Sequence, residues 1–300
     1  MYSGEYNNTV VHEFGMEVMR GLPNGSIVLT KGDLPSNVLR YLYLCENVRP
    51  DISLFDQEVL TYDWSVPMMR KAWPNITFPG DLLHLKTQIR EDGRQSFDFK
   101  TFLDANYHRA PIFGCIGVQD HENSWKESYQ LWPYGVCSKF VRKGDNLDID
   151  EYAKLTSDMA AHWKHKRQVE EFEDTSWENV ASNEMWHAKI SSAYFLYEMA
   201  EKSANKEEKA KYLLHSYNLY SEAMERNTDF PTHWYKNYAL VCERLLHVRH
   251  DLNNIMLLKK SIDSFKMFVK LEPSDKDSNA IVTVIKDLSK HLKLIQSHKP

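Results

Sequence analysis

No run in this 300-residue sequence approaches 18 consecutive apolar residues, so no stretch reads as a membrane-crossing helix. Its four cysteines, Cys45, Cys115, Cys137 and Cys242, lie far apart and form no Cys-x-x-Cys pair. That removes the usual spacing of zinc sites and redox dithiols, and they read mostly as core thiols. Neither sign of charge dominates: 37 basic and 42 acidic residues are mixed along the chain, for a formal net charge of −5. A nucleic-acid partner, which needs a basic patch or stripe, is therefore not expected. There is no Gly-x-Ser-x-Gly elbow, and no cysteine has an evident histidine partner, so hydrolysis by a triad has no support. From about Leu147 onward glycine is absent and proline falls to Pro231, Pro273 and Pro300.

At 42% apolar, the chain can bury a substantial core and is long enough for about two domains. It is organised around Leu22 to Asp56. Pro23, Asn24 and Gly25 mark a turn, Ile27 to Thr30 form a short β-rich apolar run, and Lys31 to Asn37 make a connecting loop. Val38, Leu39, Leu42 and Cys45 recur at helical spacing, with Asp33 or Ser36 placed to cap the first turn. Pro50 cannot donate and disfavours the α conformation at Arg49, so Ile52 to Phe55 is expected as a second strand. A crossover of this length implies parallel, right-handed pairing.

Upstream, Val10, Val11, Phe14, Val18 and Met19 share a helical face that ends at Gly21 and suits packing on the sheet. Met68 to Trp73 and Phe97 to Asn106 read as short helices, Pro111 to Val118 as a third strand, and Ser124 to Val136 as a packed loop with a final edge strand. Residues 74–96 give no clear pattern. Beyond Leu147 five helices follow in series, marked by Trp186, Ala210, Trp234, Ile255 and Ile281 at their first apolar turns. Phe265 with Pro273 eight residues on, and Asp229-Phe230-Pro231, resemble the end of a tetratricopeptide repeat. The expected fold is thus α/β plus α: a small Rossmann-like, mostly parallel sheet domain at 22–145, preceded by a packing helix at 1–21 and followed by tetratricopeptide-like helical repeats at 146–300.

Candidate chemistry is sparse. Thr30, Lys31, Gly32 and Asp33 lie at the carboxyl end of the first strand, the edge of open α/β sheets where ligands bind. Gly32 alone is neither a dinucleotide fingerprint nor a Walker loop, and an ordinary βα turn is the simpler reading. His162 and His165 share a helical face without a third ligand, and Asp145, Asp148 and Asp150 resemble a calcium loop only loosely and read better as helix caps. No metal is assigned. Trp186, Tyr194, Tyr217 and Trp234 belong to an aromatic stripe that is either repeat core or a concave partner groove. Asn7, Asn24 and Asn75 begin N-glycosylation triplets, which matter only in a secretory lumen. The first residues, Met-Tyr-Ser-Gly-Glu-Tyr-Asn-Asn, have no signal-peptide pattern.

Leu22 to Asp33 together with Val48-Arg49-Pro50-Asp51-Ile52, Trp125, Trp132-Pro133-Tyr134-Gly135 and the trailing helices resemble, over nearly the whole chain, the soluble C-terminal part of membrane-embedded protein O-mannosyltransferases. These enzymes act on IPT domains of plexins and of the MET and RON receptors. The resemblance implies an endoplasmic-reticulum enzyme that takes mannose from dolichyl-phosphate mannose and passes it to Ser or Thr. The catalytic carboxylate is expected in a lumenal loop of the membrane domain, so no residue here inherits it, no cofactor is expected in this chain, and the chain alone is expected to be inactive. Its expected role is to present IPT-domain acceptors to the upstream membrane domain. Upstream spans would deliver it to the lumen, where a disulfide becomes permissible although the sequence does not pair the cysteines. The alternative is a soluble tetratricopeptide-like scaffold that binds protein partners without catalysis, cytosolic if the chain is made alone.

Overall fold

In the computed structural model, residues 8–119, 121–161, 172–226, 231–249 and 254–297 are described. They fall into two compact units, Met1–Ala188 and Lys189–Pro300. Among them are a five-stranded, mostly parallel sheet, a two-stranded ribbon and ten α-helices.

The first unit is built on β1 (Ile27–Thr30), whose four residues are all buried. Successive side chains of a strand point to opposite faces, and β1 supplies both cores. Val28 packs with α1 (Val10–Gly21) and α2 (Asp33–Leu44), whereas Ile27 and Leu29 pack with α3 (Ser65–Ala72) and α4 (Phe99–Asn106). β1 pairs in parallel with β2 (Ser53–Asp56) on one side and with β5 (Ile112–Cys115) on the other. The expected strand-helix-strand crossover is present, with the second strand shifted by one residue. Neither Asp33 nor Ser36 caps α2. Gly32 takes the cap position at φ +80, and the Ser36 hydroxyl turns back to donate to Thr30 Oγ1 at 2.9 Å.

Residues 74–96 hold β3 (Leu82–Leu83), which pairs in parallel with β4 (Ser96–Phe97). At two residues each, these strands are too short to show a period. Asp98 opens α4 with a capping box, its carboxylate accepting from the Thr101 amide at 2.9 Å.

The last part of the sheet corrects the sequence reading. A short 3-10 turn at Ser124–Glu127 leads into β6 (Tyr129–Tyr134), and a tight turn at Gly135, φ +61, returns the chain as β7 (Cys137–Arg142). The order is β2-β1-β5-β7-β6, so β7, which the sequence did not reveal, is interior and antiparallel to both neighbours. Pro133 sits in β6 because that strand is the edge, where a missing donor costs least.

The register places Cys115 opposite Cys137, and the two form a disulfide. The core-thiol expectation therefore fails for this pair and holds for Cys242, which is buried, while Cys45 is exposed. Closing a loop of 22 residues, such a bridge contributes roughly 3 kcal/mol by restricting the unfolded chain.

α5 (Ile149–Ala161) follows, with the Asp148 carboxylate accepting from the Glu151 amide at 3.0 Å, and then α6 (Trp177–Lys202). The second unit continues with α7 (Lys206–Arg226), α8 (Thr232–Val248), α9 (Asn254–Leu271) and α10 (Ser278–Ser297). Consecutive helices from α7 to α10 pack against one another. The five-helix series matches the sequence reading, but its internal spacing is longer than a tetratricopeptide repeat. Ser216 donates to the Ala193 carbonyl at 2.7 Å, and the equivalent bond runs from Ser261 to Ala239 at 3.0 Å. These pairs lie 45 and 46 residues apart, against about 34 for that repeat.

Candidate functional site at the carboxyl edge of the sheet

Every parallel strand of the sheet ends on the same edge, at Thr30, Asp56 and Cys115. The segments that follow converge there. The Lys31 ammonium donates to the Val118 carbonyl at 3.3 Å, which ties the β1 turn to the loop after β5. Gln57, fully buried, sits between those segments: its amide nitrogen donates to Gly117 O at 3.0 Å, and its oxygen accepts from the Gln119 amide at 3.0 Å. Gly117, at φ +89, adopts a conformation that a side chain would disfavour.

Beside this buried linkage lies a cleft of about 270 Å³ lined by Thr30, Ser36, Arg40, Asp56, Trp64 and Trp73. Arg40 and Asp56 form an ion pair at 3.0 Å across its rim. Asp56 also accepts from the Glu58 amide at 2.9 Å, so its orientation is set by backbone as well as by charge. The floor is apolar, with Leu54, Met69 and Trp73 beneath the polar rim. Such a mixture suits a ligand with an apolar body and a few polar groups. Among the described residues, no group of three His, Cys, Asp or Glu side chains could hold a metal ion.

The four sequence-assigned edge residues separate in space. Thr30 is buried in the rim, and Lys31 is half-buried against the Val118 loop. Gly32 has open space where a Cβ would lie, so its left-handed φ alone explains the glycine. Asp33 faces away from the cleft, into a shallow groove with Tyr41 and Trp177. Arg40, Asp56, Gln57 and Trp64 were missed as site residues. For Asp56 and Gln57 the only sequence signal is position at the carboxyl end of β2; Arg40, ten residues past β1, and Trp64, eight past β2, carry none.

Glu122 lies in the loop after β5 and is buried, with neither carboxylate oxygen hydrogen-bonded. Burial pushes its pKa up and outweighs the opposing pull of the nearby Ser124 and Phe99 groups.

The Arg49-Pro50-Asp51 landmark lies at the opposite, amino edge. Arg49 donates to Met19 O and Leu22 O at 2.7 Å each, to Pro23 O at 3.0 Å, and to both oxygens of Asp51. It is a clasp on the end of α1. Asn24 is exposed just before β1, and Asn75 is exposed in the loop that Arg109 holds to the end of α4. Both glycosylation triplets are thus on the amino edge, whereas Asn7 lies outside the described residues.

Of the aromatic groove residues, Trp186 belongs to the first unit and Tyr194, Tyr217 and Trp234 to the second. Trp186 and Trp234 are buried and Tyr194 is exposed. Tyr217 is half-buried, stacks on Tyr238 with centroids 6.0 Å apart, and accepts from Lys260 at 2.9 Å. His162 and His165 lie outside the described residues. Asp145 accepts from the Tyr107 hydroxyl at 2.7 Å.

Over 294 residues, 97% of its length, the chain is 34% identical to the mouse protein named protein O-mannosyl-transferase TMEM260. Over 181 residues, 60% of its length, it is 29% identical to a Dictyostelium discoideum protein of the same name. The chain spans 41% of the length of the mouse relative and 21% of that of the Dictyostelium one. No family profile matches the chain. No solved structure matches it either.

Proposed function

We propose, for a chain homologous to the proteins named protein O-mannosyl-transferase TMEM260, that it recognises acceptors for a glycosyltransferase moving mannose from dolichyl-phosphate mannose to Ser or Thr of IPT domains. The observation that carries this reading is identity of 34% across 97% of the chain, which includes both the sheet unit and the helical unit. The chemistry is assigned to a membrane part outside this chain, which spans 41% of the length of the mouse relative.

A lumenal location is supported by the Cys115–Cys137 disulfide, since such bridges persist in oxidising compartments. The two exposed triplets at Asn24 and Asn75 fit the same compartment. For acceptor binding, the helical series read in the sequence as tetratricopeptide-like offers an extended surface, as stacked helical pairs do in general. The carboxyl edge of the sheet, with its cleft between Arg40, Asp56 and Trp64, is the proposed contact for the reacting segment.

The test is calorimetric titration of the purified chain with a recombinant IPT domain, alongside a transfer assay with dolichyl-phosphate mannose. Saturable binding without transfer is expected. Absence of binding by the chain while the full enzyme retains it would overturn the acceptor role, and transfer by the chain alone would overturn the assignment of chemistry elsewhere.

A further inference from the structure

Trp64 borders two depressions. One is the cleft described above; the other, of about 550 Å³, lies between the 61–64 loop and the segment that carries β3. Tyr62, Asp63, Trp64, His84, Arg90 and Gln119 line it. Tyr62 is 43% exposed and Trp64 58%. Their rings stack, 22° apart with centroids at 6.1 Å, and the pair stays open to solvent. The loop beneath is held firmly. Ser65 donates to the Tyr62 carbonyl through its amide at 3.1 Å and its hydroxyl at 2.9 Å, and the Tyr62 hydroxyl donates to Glu58 at 3.2 Å.

The polar members are planar and paired. Asp63 accepts from Arg90 at 3.2 Å and from Arg94 at 2.8 Å, and Arg94 is also bound to Asp92. Both arginines are therefore compensated, so the cleft has no excess positive field with which to hold a phosphate or carboxylate. Yet a carboxylate has about four acceptor positions and a guanidinium five donors, so the half-exposed Asp63 and Arg90 keep hydrogen-bonding edges facing the opening. The ligand that fits is neutral, has one flat face of C–H groups, and carries a rim of hydroxyls that both donate and accept. A pyranose has that shape. Its C–H face carries the weak positive charge that suits the negative face of an aromatic ring, and the volume accommodates one to three sugar rings.

We propose that the Tyr62–Trp64 cleft is a saccharide-binding site that takes a mannosyl residue, with an aromatic face of the stacked pair against the sugar and Asp63, Arg90 and Gln119 reading its hydroxyls. The choice of mannose among hexoses rests on the proposed function; the choice of a neutral sugar rests on the cleft. Next to the sheet edge, such a site holds the mannosylated stretch of an acceptor, and a mannose bound only as a lipid-linked donor would use the same contacts.

Ligand-observed saturation-transfer NMR on the full chain tests this with methyl α-D-mannopyranoside, an O-mannosylated threonine peptide and the same peptide unmodified. Saturable binding in the millimolar range is expected for the first two, tighter for the mannosylated peptide, with no response from the unmodified one. Equal affinity for the two mannosyl probes retains the saccharide site and makes the sugar itself, donor or product, the whole ligand. Trp64→Ala and Tyr62→Ala should each weaken binding about tenfold, with thermal melting close to wild type because both side chains are exposed. No saturable signal from either mannosyl probe, equal binding of the unmodified peptide, or undiminished binding by both variants overturns the proposal. Sugar binding is measured without an IPT domain, so its failure with IPT binding intact removes this inference alone, and the reverse result removes only the acceptor role.

Discussion

Arg49 shows how one residue type can be required by geometry rather than chemistry. Its backbone lies at φ +53, a conformation costing a non-glycine residue about 1–3 kcal/mol. All five of its N–H groups are engaged, three with carbonyls at the end of α1 and its following turn and two with Asp51. Lysine cannot reproduce that fork. Replacing Arg49 by Ala should cost roughly 2–4 kcal/mol in urea unfolding, because three part-buried carbonyls lose a charged donor. Asp51 adds a pH signature. The hydrogen bonds from Arg49, the largest influence, hold its pKa well below the usual carboxylate range against the opposing effect of burial, with a smaller contribution from the Gly25 amide. A group with a depressed folded pKa contributes stability that is present above its unfolded value, about 4, and lost as the pH falls from there toward the folded one. Chemical unfolding between pH 5 and pH 2 should show Asp51→Asn with a shallower acid loss than wild type; parallel curves would remove Asp51 from the acid response.

At the scale of elements, strong periodicity and register carry different information. α1, α2, α4 and the long helices of the second unit announce themselves through apolar spacing, and β1 through a β-branched run between breakers. β3 and β4 depend instead on a close backbone approach at Gly80. A Cβ there would lie 2.5 Å from the Gln95 carbonyl oxygen, and the same carbonyl accepts from the Asp81 amide at 2.6 Å. Neither atom can move without breaking the ribbon. Gly80→Ala should therefore destabilise the first unit by about 1–3 kcal/mol and accelerate amide hydrogen exchange selectively at residues 81–97. Uniform exchange across the unit would show that the ribbon is not separately held by this contact. β7 was illegible for a different reason: Cys-Ser-Lys-Phe-Val-Arg alternates poorly, and its interior position follows from pairing with β5, a contact between segments more than 20 residues apart.

For the molecule as a whole, the four cysteines differ in bonding and exposure. Cys45 is exposed, Cys242 is fully buried with its thiol pushed up to about 12 by burial, and Cys115 and Cys137 are bonded. Alkylation at pH 8 without reductant should give one adduct, at Cys45; denaturant should add Cys242; and the remaining two should appear only after reduction. Four adducts in denaturant alone would contradict the disulfide. The same protein recovered from secretory-pathway membranes should show glycosidase-sensitive mass at Asn24 or Asn75, whose positions on the amino edge leave the carboxyl-edge clefts uncovered.

What the sequence determined by itself was the kinship and the elements with strong local signals: Leu22 to Asp56 carries turn, strand, helix and strand within 35 residues, and its Gly32-Asp33 and Arg49-Pro50-Asp51 turns rest on left-handed backbone and a five-bond clasp. The tertiary structure alone decided which cysteines pair, that β7 lies inside the sheet, and that Arg40, Asp56, Gln57 and Trp64 meet at one edge. Each of these depends on register and on contacts between distant segments. A lone Trp or Gln in a loop carries no period, so only the folded chain shows what stands beside it.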